Sequence, residues 1–235
     1  MSGHSKWATI KHQKGVADAR RGQLFTKLAR AITVAAKDGE DSDSNFKLRL
    51  AMDKAREANM PKENIKRAIE KGSGSGGGGE LTEVIYEGYG QEKVAVMVEV
   101  VTDNKNRTVS ELKKIFEMSG GNLGEPGSVA FQFKRKGRIE VEGGGEAEML
   151  KLIDLGVEEV EPVEGGLEVA VEAEKLTESK GRIEAAGFKV KLAELIYAPL
   201  SLLPVEDKVK ERVKGFLAKL VDHDDVQNVY TNADL

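Results

Sequence analysis

Residues 138–199 read RIEVEGGGEAEMLKLIDLGVEEVEPVEGGLEVAVEAEKLTESKGRIEAAGFKVKLAELIYAP. RIEVE, VEEVEPV, LEVAVEA and FKVKLAELIYAP carry the pattern of strands, and AEMLKLIDLG and KLTESKGRIEAAG carry that of helices. The resulting order, β-α-β-β-α-β, is that of the ferredoxin-like split arrangement.

The flanks then have to be read together. Upstream, LTEVIYEGYG and EKVAVMVEVVTD read as strands, with Val94, Val96, Val98 and Val100 alternating with Ala95, Met97 and Glu99. The turn at Asn104, Lys105 and Asn106 leads into a helix with the capping-box pattern Thr108-x-x-Glu111, which Gly120 and Gly121 end. GNLGEPG reads as a loop and SVAFQFKRK as a strand. Downstream, DKVKERVKGFLAKLVDHD predicts a helix and VQNVYTN a strand, neither with a local partner. The simplest closure inserts 138–199 into a domain made of 80–137 and 200–235.

The head of the chain is different in kind. Residues 1–14 have no helical or strand period and read as an extended basic arm. Over 16–37, Leu24, Phe25, Leu28, Ile32 and Ala35 follow amphipathic-helix spacing, with Lys27, Arg30 and Lys37 on the side away from that stripe. Gly39 ends it. A second helix is expected from an N-cap at Asp43 or Ser44 to about Ala58, and a third between Pro61, at a first helical position, and Gly72 as C-cap. GSGSGGGG at 72–79 reads as a linker that lets the head reach independently of the body. It also matches GxGxxG at Gly72, Gly74 and Gly77, but it follows a helix where the dinucleotide fingerprint needs a strand. The fold class expected is multi-domain α+β: an arm and three-helix bundle over 1–71, a linker, an α+β domain, and a ferredoxin-like unit inserted in it.

Charge follows the same division. Residues 1–36 hold seven Lys or Arg and one acid, Asp18. Residues 1–71 carry a net +7 and the remainder −11, so only the head suits a polyanion. With no cysteine, disulfides, thiolate metal sites and a cysteine nucleophile are excluded. Three histidines, His4, His12 and His223, leave little room for a triad or a transition-metal cage. SxxK at Ser44 and Ser110 lies in amphipathic helices with no supporting motif. Asp222, Asp224 and Asp225 read as an acidic corner rather than a cation site, because no liganding loop follows. No Walker loop, signal peptide or membrane span is expected, since apolar runs fall far short of roughly 18 residues. The chain therefore reads as non-enzymatic and cytoplasmic, without catalytic residues or a metal site; a monomer with no small-molecule substrate is expected.

Binding remains. Lys6, Lys11, Lys14, Arg20, Arg21, Lys27 and Arg30, with His12, form the candidate nucleic-acid contact, since cations on phosphate release counterions. Trp7, between Lys6 and Lys11, suits base stacking, but a staple holding the arm on the bundle is the reading favoured for a lone large aromatic near a terminus. Arg107, before a helix N-terminus, and Asn122, in a glycine-rich loop, are further candidates, each with a plain turn reading beside it.

These stretches resemble a known family. MSGHSKWATIKHQKGVADARRGQLFTKLAR, EANMPKENIKRAIEKG, VIYEGYG, VVTDNKNRTVSELKKIFEMSGGNLGEPGSVAFQF and DVQNVYTNADL are similar to the YebC family, known also through its PmpR members. The resemblance spans nearly the whole chain. It implies a three-helix domain and two α+β domains, one inserted in the other, with no enzymatic activity and no cofactor. It implies a DNA-binding transcriptional regulator. For some members, including mitochondrial relatives that activate cytochrome oxidase subunit translation, it implies instead a ribosome-associated factor that binds rRNA or tRNA and relieves stalling at proline-rich stretches. By position the matching stretches are the arm (His4, Ser5, Lys6, Trp7, Lys11, His12, Lys14, Arg20, Arg21), the TDNKNRT turn and the GGNLGEPGS loop. The polyglycine linker departs from the family picture.

Overall fold

The computed structural model describes residues 18–74 and 80–235, with side chains from Arg21 onward. Lys6, Trp7, Lys11, His12 and Lys14, the side chain of Arg20, and linker residues 75–79 lie outside the described residues. In chain order the elements are α1 (Asp18–Ala35), α2 (Phe46–Glu57), α3 (Lys62–Gly72), β1 (Thr82–Tyr89), β2 (Ala95–Thr102), α4 (Lys105–Met118), β3 (Asn122–Leu123), β4 (Phe133–Val141), α5 (Glu146–Asp154), β5 (Glu159–Val163), β6 (Gly166–Glu172), α6 (Leu176–Ala185), β7 (Val190–Pro199), β8 (Leu203–Pro204), α7 (Asp207–Val221), β9 (Val226–Thr231) and β10 (Ala233–Asp234). The described residues form two compact units, 134–198 and the combination of 18–133 with 199–235. Strand β4 runs unbroken from Phe133 to Val141.

In the smaller unit the strand order is β5-β6-β4-β7, with β4–β6 and β5–β6 antiparallel. Alternation sorts the side chains. Ile139 and Val141 of β4 and Leu167, Val169 and Val171 of β6 are buried, as are Leu152 of α5 and Leu176 and Ile183 of α6. The alternate positions carry charge: Arg138 faces Ala170 across the β4–β6 pair, and Glu140 faces Glu168. Two carboxylates directly opposite one another repel. The Arg138 guanidinium answers both, paired with Glu140, with Glu168 at 3.2 Å and with Glu194 of β7 at 3.6 Å.

In the larger unit the sheet order is β3-β1-β2-β9, all neighbours antiparallel. Val96, Val98 and Val100 of β2 meet Leu112 and Phe116 of α4 and Val213, Phe216 and Leu217 of α7 in one core. Phe116 and Phe216 pack edge to face, with centroids 4.9 Å apart at 75°. β2 differs from the half-buried strand its alternation suggested: Ala95, Met97 and Val101 are buried as well. Its second face is covered in part by α1, where Val34 packs with Leu81 and Val101.

Helices α1–α3 form a bundle around Leu28, Ile32, Leu48, Ala55, Ile65 and Ala68. They belong to the same compact unit as the larger sheet, where the sequence suggested a head reaching independently. Two boundaries differ from the reading for local reasons. The α2 N-cap is Asn45, whose side-chain oxygen accepts from the Leu48 amide while its NH2 donates to the Ala35 and Gly39 carbonyls at 2.7 and 2.8 Å. Neither Asp43 nor Ser44 reaches so many groups. Gly72 is the last residue of α3 rather than a left-handed cap; a Cβ there would lie 2.2 Å from the Thr33 carbonyl oxygen of α1, so the helices cross too closely for any side chain.

Candidate nucleic-acid interface

Asp225 immediately precedes β9, and its side chain is 3% exposed. Pairing of β9 with β2 brings it to the end of β2, where the Thr102 hydroxyl donates to Oδ2 at 3.0 Å. Helix α4 starts a turn earlier than the Thr108 capping box predicted, because Asn104 caps it by accepting from the Arg107 amide. Thr108 is thereby freed from capping and donates to Asp225 Oδ2 at 2.6 Å, and the Arg107 guanidinium does so at 2.8 Å. From α1, Arg30 donates to Oδ1 at 2.6 Å and to the Asp224 carbonyl at 2.8 Å. Burial alone would raise the Asp225 pKa. The hydrogen bonds from Thr108, Arg107 and Thr102 and the charge of Arg30 outweigh it and hold the carboxyl down to about 2.

Lys27 lies one turn before Arg30 and donates to the Val221 carbonyl at 2.5 Å. Burial pushes its ammonium down to about 8, against the pull of Asp224 and Asp222. Gln23 reaches Asp224 at 3.4 Å. Thus three cations expected to face a polyanion, Lys27, Arg30 and Arg107, are gathered on the 221–225 corner. Arg107 keeps an outward edge, being 43% exposed, and also pairs with Asp103 at 3.0 Å. Arg21 is exposed on the first turns of α1. Asn122 stands apart from this cluster, in the edge strand β3 paired with Tyr89 of β1.

The glycine-rich loop around Asn122 is shaped by a residue that sequence reading did not single out. Glu87 of β1 accepts from the amides of Gly127, Val129 and Ala130, each at 2.8 Å. Burial pushes its pKa up, and the three amides outweigh that and hold the carboxyl below its ordinary value. The Tyr89 hydroxyl donates to the Ser128 carbonyl at 2.9 Å and receives from Gln132 at 3.2 Å. β3 lies so close to β1 that a Cβ on Gly88 would sit 2.6 Å from the Asn122 carbonyl oxygen, and one on Gly121 would sit 2.2 Å from that of Tyr89. Neither Asp225 nor Glu87 has a local signature. Each becomes visible only when strands or loops distant in sequence are paired.

With this geometry in place, comparison with known proteins decides the family. Residues 5–75 match the family described as TACO1/YebC protein N-terminal domain, and residues 81–233 match that described as TACO1/YebC second and third domain. The chain belongs to the TACO1/YebC family. Relatives in this family include a protein of Pelotomaculum thermopropionicum, 45% identical over 100% of this chain and 99% of its own length. Another, from Trichlorobacter lovleyi, is 47% identical over 100% of this chain and 96% of the relative. Both are described as "Probable transcriptional regulatory protein". The crystal structure of a conserved hypothetical protein from Aquifex aeolicus is similar to this one, with a TM-score of 0.90 at 43% identity, covering 98% of this chain and 97% of that one. Among the described residues no helix is long and apolar enough to cross a membrane.

Proposed function

We propose that this chain is a non-enzymatic, cytoplasmic, nucleic-acid-binding regulator of gene expression, acting as a DNA-binding transcriptional regulator of the YebC type. The observation that carries the reading is the full-length similarity to relatives described as transcriptional regulatory proteins. The polarised charge, seven Lys or Arg against one acid over residues 1–36 of a chain with net charge −4, supports it. With Lys27, Arg30 and Arg107 engaged at the 221–225 corner, the first contact with phosphates falls to Lys6, Lys11, Lys14, Arg20 and Arg21.

A second reading is a ribosome-associated translation factor. What favours it is that α1 spends Gln23, Lys27 and Arg30 on protein partners, and that Arg67 and Asn64 of α3 bond each other at 3.2 Å. Base-edge recognition in a duplex needs such groups free. Phosphate contacts from a basic arm suit irregular RNA as well as DNA.

The test compares duplex DNA, single-stranded RNA and ribosomes at one fixed low salt, with a salt series added for duplex DNA, for the wild type and for a Lys6→Ala, Lys11→Ala, Lys14→Ala variant. The variant is expected to stay folded and to lose most of its binding. On duplex DNA the slope of log affinity against log salt should flatten by about 3, near 0.9 for each phosphate contact removed. Unchanged affinity would overturn the role of the arm. Co-sedimentation with ribosomes in the absence of duplex binding would favour the second reading.

A further inference from the structure

The α1–α3 bundle meets the larger sheet through one small buried apolar cluster and a set of polar contacts. The bundle's own core is internal to it, and the buried apolar cluster at the join is Val34 with Leu81 and Val101. Polar contacts lie beside it, among them those of Gln23, Lys27 and Arg30 with the 221–225 corner. Lys37 pairs with Glu80 at 3.1 Å and bonds the Leu81 carbonyl at 2.8 Å, and Lys47 pairs with Glu83 at 2.5 Å. Asp225 is the most buried group among them and draws donors from both sides: Arg30 from the bundle, and Arg107, Thr102 and Thr108 from the sheet and α4.

Two guanidinium groups and two hydroxyls converging on one anion are a donor set that also suits a phosphate, since the planar fork of arginine matches carboxylate and phosphate alike. The set is reachable, because the Arg30 and Arg107 side chains are 22% and 43% exposed while the carboxylate they hold is 3% exposed. We propose that the α1–α3 bundle is a detachable module latched to the sheet by Asp225, and that a nucleic-acid phosphate competing for Arg30 and Arg107 releases it. The inference rests on the nucleic-acid reading above. After the exchange both arginines still face an anion, and Asp225, uncovered as Arg30 leaves with α1, keeps its two threonine donors and is hydrated in place of its lost cations. The seven Gly and Ser residues that follow α3, 73–79, can span roughly 23–25 Å when extended, enough for the bundle to move off without breaking the backbone.

The chain has no cysteine, so labels can be placed at will. Lys71→Cys on α3 and Lys219→Cys on α7 are both at exposed positions and carry spin labels for pulsed distance measurements on the full chain. The free protein is expected to give one distance. Saturation with a 20-base-pair duplex or a single-stranded RNA of similar length at low salt should add a longer one. Asp225→Asn should show the longer distance without nucleic acid and bind either probe several-fold more tightly. Arg30→Gln, at a more exposed position, should also lengthen the distance, and its folded state is checked by circular dichroism. Binding with the distance unchanged would overturn the release and leave the nucleic-acid reading standing. No binding to either probe would overturn both. An unchanged distance in folded Asp225→Asn and Arg30→Gln would overturn the latch itself.

Discussion

In the larger unit one carboxylate, Asp225, gathers the Arg30 and Arg107 guanidinium groups; in the smaller unit one guanidinium, Arg138, gathers Glu140, Glu168 and Glu194. The two clusters differ in more than sign. Arg138 and its partners all lie on three neighbouring strands of one sheet, β6-β4-β7, and its side chain is 4% exposed. Asp225 joins α1, β2, α4 and β9, and its cationic partners reach water. The first cluster relieves a repulsion the sheet register creates between Glu140 and Glu168. The second fastens one substructure to another. A buried charge thus serves a sheet's own register in one case and a separable join in the other, and burial of the partners tells which.

Arg138→Ala should have the largest effect, because it leaves three carboxylates facing one another in a buried place. A loss of about 3–5 kcal/mol is expected in denaturant melts. An apolar replacement that leaves the carboxylates in place, Arg138→Met, should do no better, since the repulsion is what matters. Asp225→Ala should cost less, roughly 2–3 kcal/mol, since water can reach the stranded arginines. If the two losses came out equal, the distinction drawn from partner exposure would fail.

Titration sharpens the same contrast. The Asp225 carboxyl is lowered from 3.8 to about 2, so its stabilising contribution is present above the unfolded value and is lost as pH falls from about 4 to 2. Wild-type protein should lose stability over that window, and Asp225→Asn should lack this component of the loss. Lys27 has the opposite linkage: its ammonium is lowered from 10.5 to about 8, so between those values the unfolded chain holds the extra proton and stability contributed by this site rises with pH. Lys27→Met should abolish that rise. Glu87→Gln should cost about 1–2 kcal/mol and speed amide exchange at Gly127, Val129 and Ala130, because a neutral amide binds three N–H groups less well. Smallest of all, Lys47→Ala should change stability by about 0.5 kcal/mol or less, since its pair with Glu83 is solvent-exposed.

The elements were largely legible in the sequence, and the relations among them were not. Periodicity marks which side of an element is apolar, so the strands and helices of 138–199 and the stripe of α1 could be read directly. It does not say what covers the far side. Ala95 and Met97 looked like the outward positions of β2 and are buried. Gly72 looked like a cap because glycine commonly ends helices, but its role depends on the Thr33 carbonyl across the bundle. Lys27 and Arg30 fell on the polar side of α1, as read, and a polar side can face a carboxylate as readily as solvent. The partner of Arg30 is 195 residues away in sequence, beyond the reach of any local pattern.

The pairing of β2 with β9 also sets an order of events. β1 and β2 form their antiparallel pair as neighbours in the chain, but β9 and α7, which complete the core around Val96, Val98 and Phe116, are synthesised only after 134–198. During synthesis the smaller unit has all its strands first, and the valine-rich side of β2 must wait for its cover. Long-range pairing of this kind slows folding and leaves an apolar strand edge open in the interval. A released chain ending near residue 200 should therefore hold a folded smaller unit beside an unfinished larger one, and that state is when the larger sheet is most exposed to mispairing.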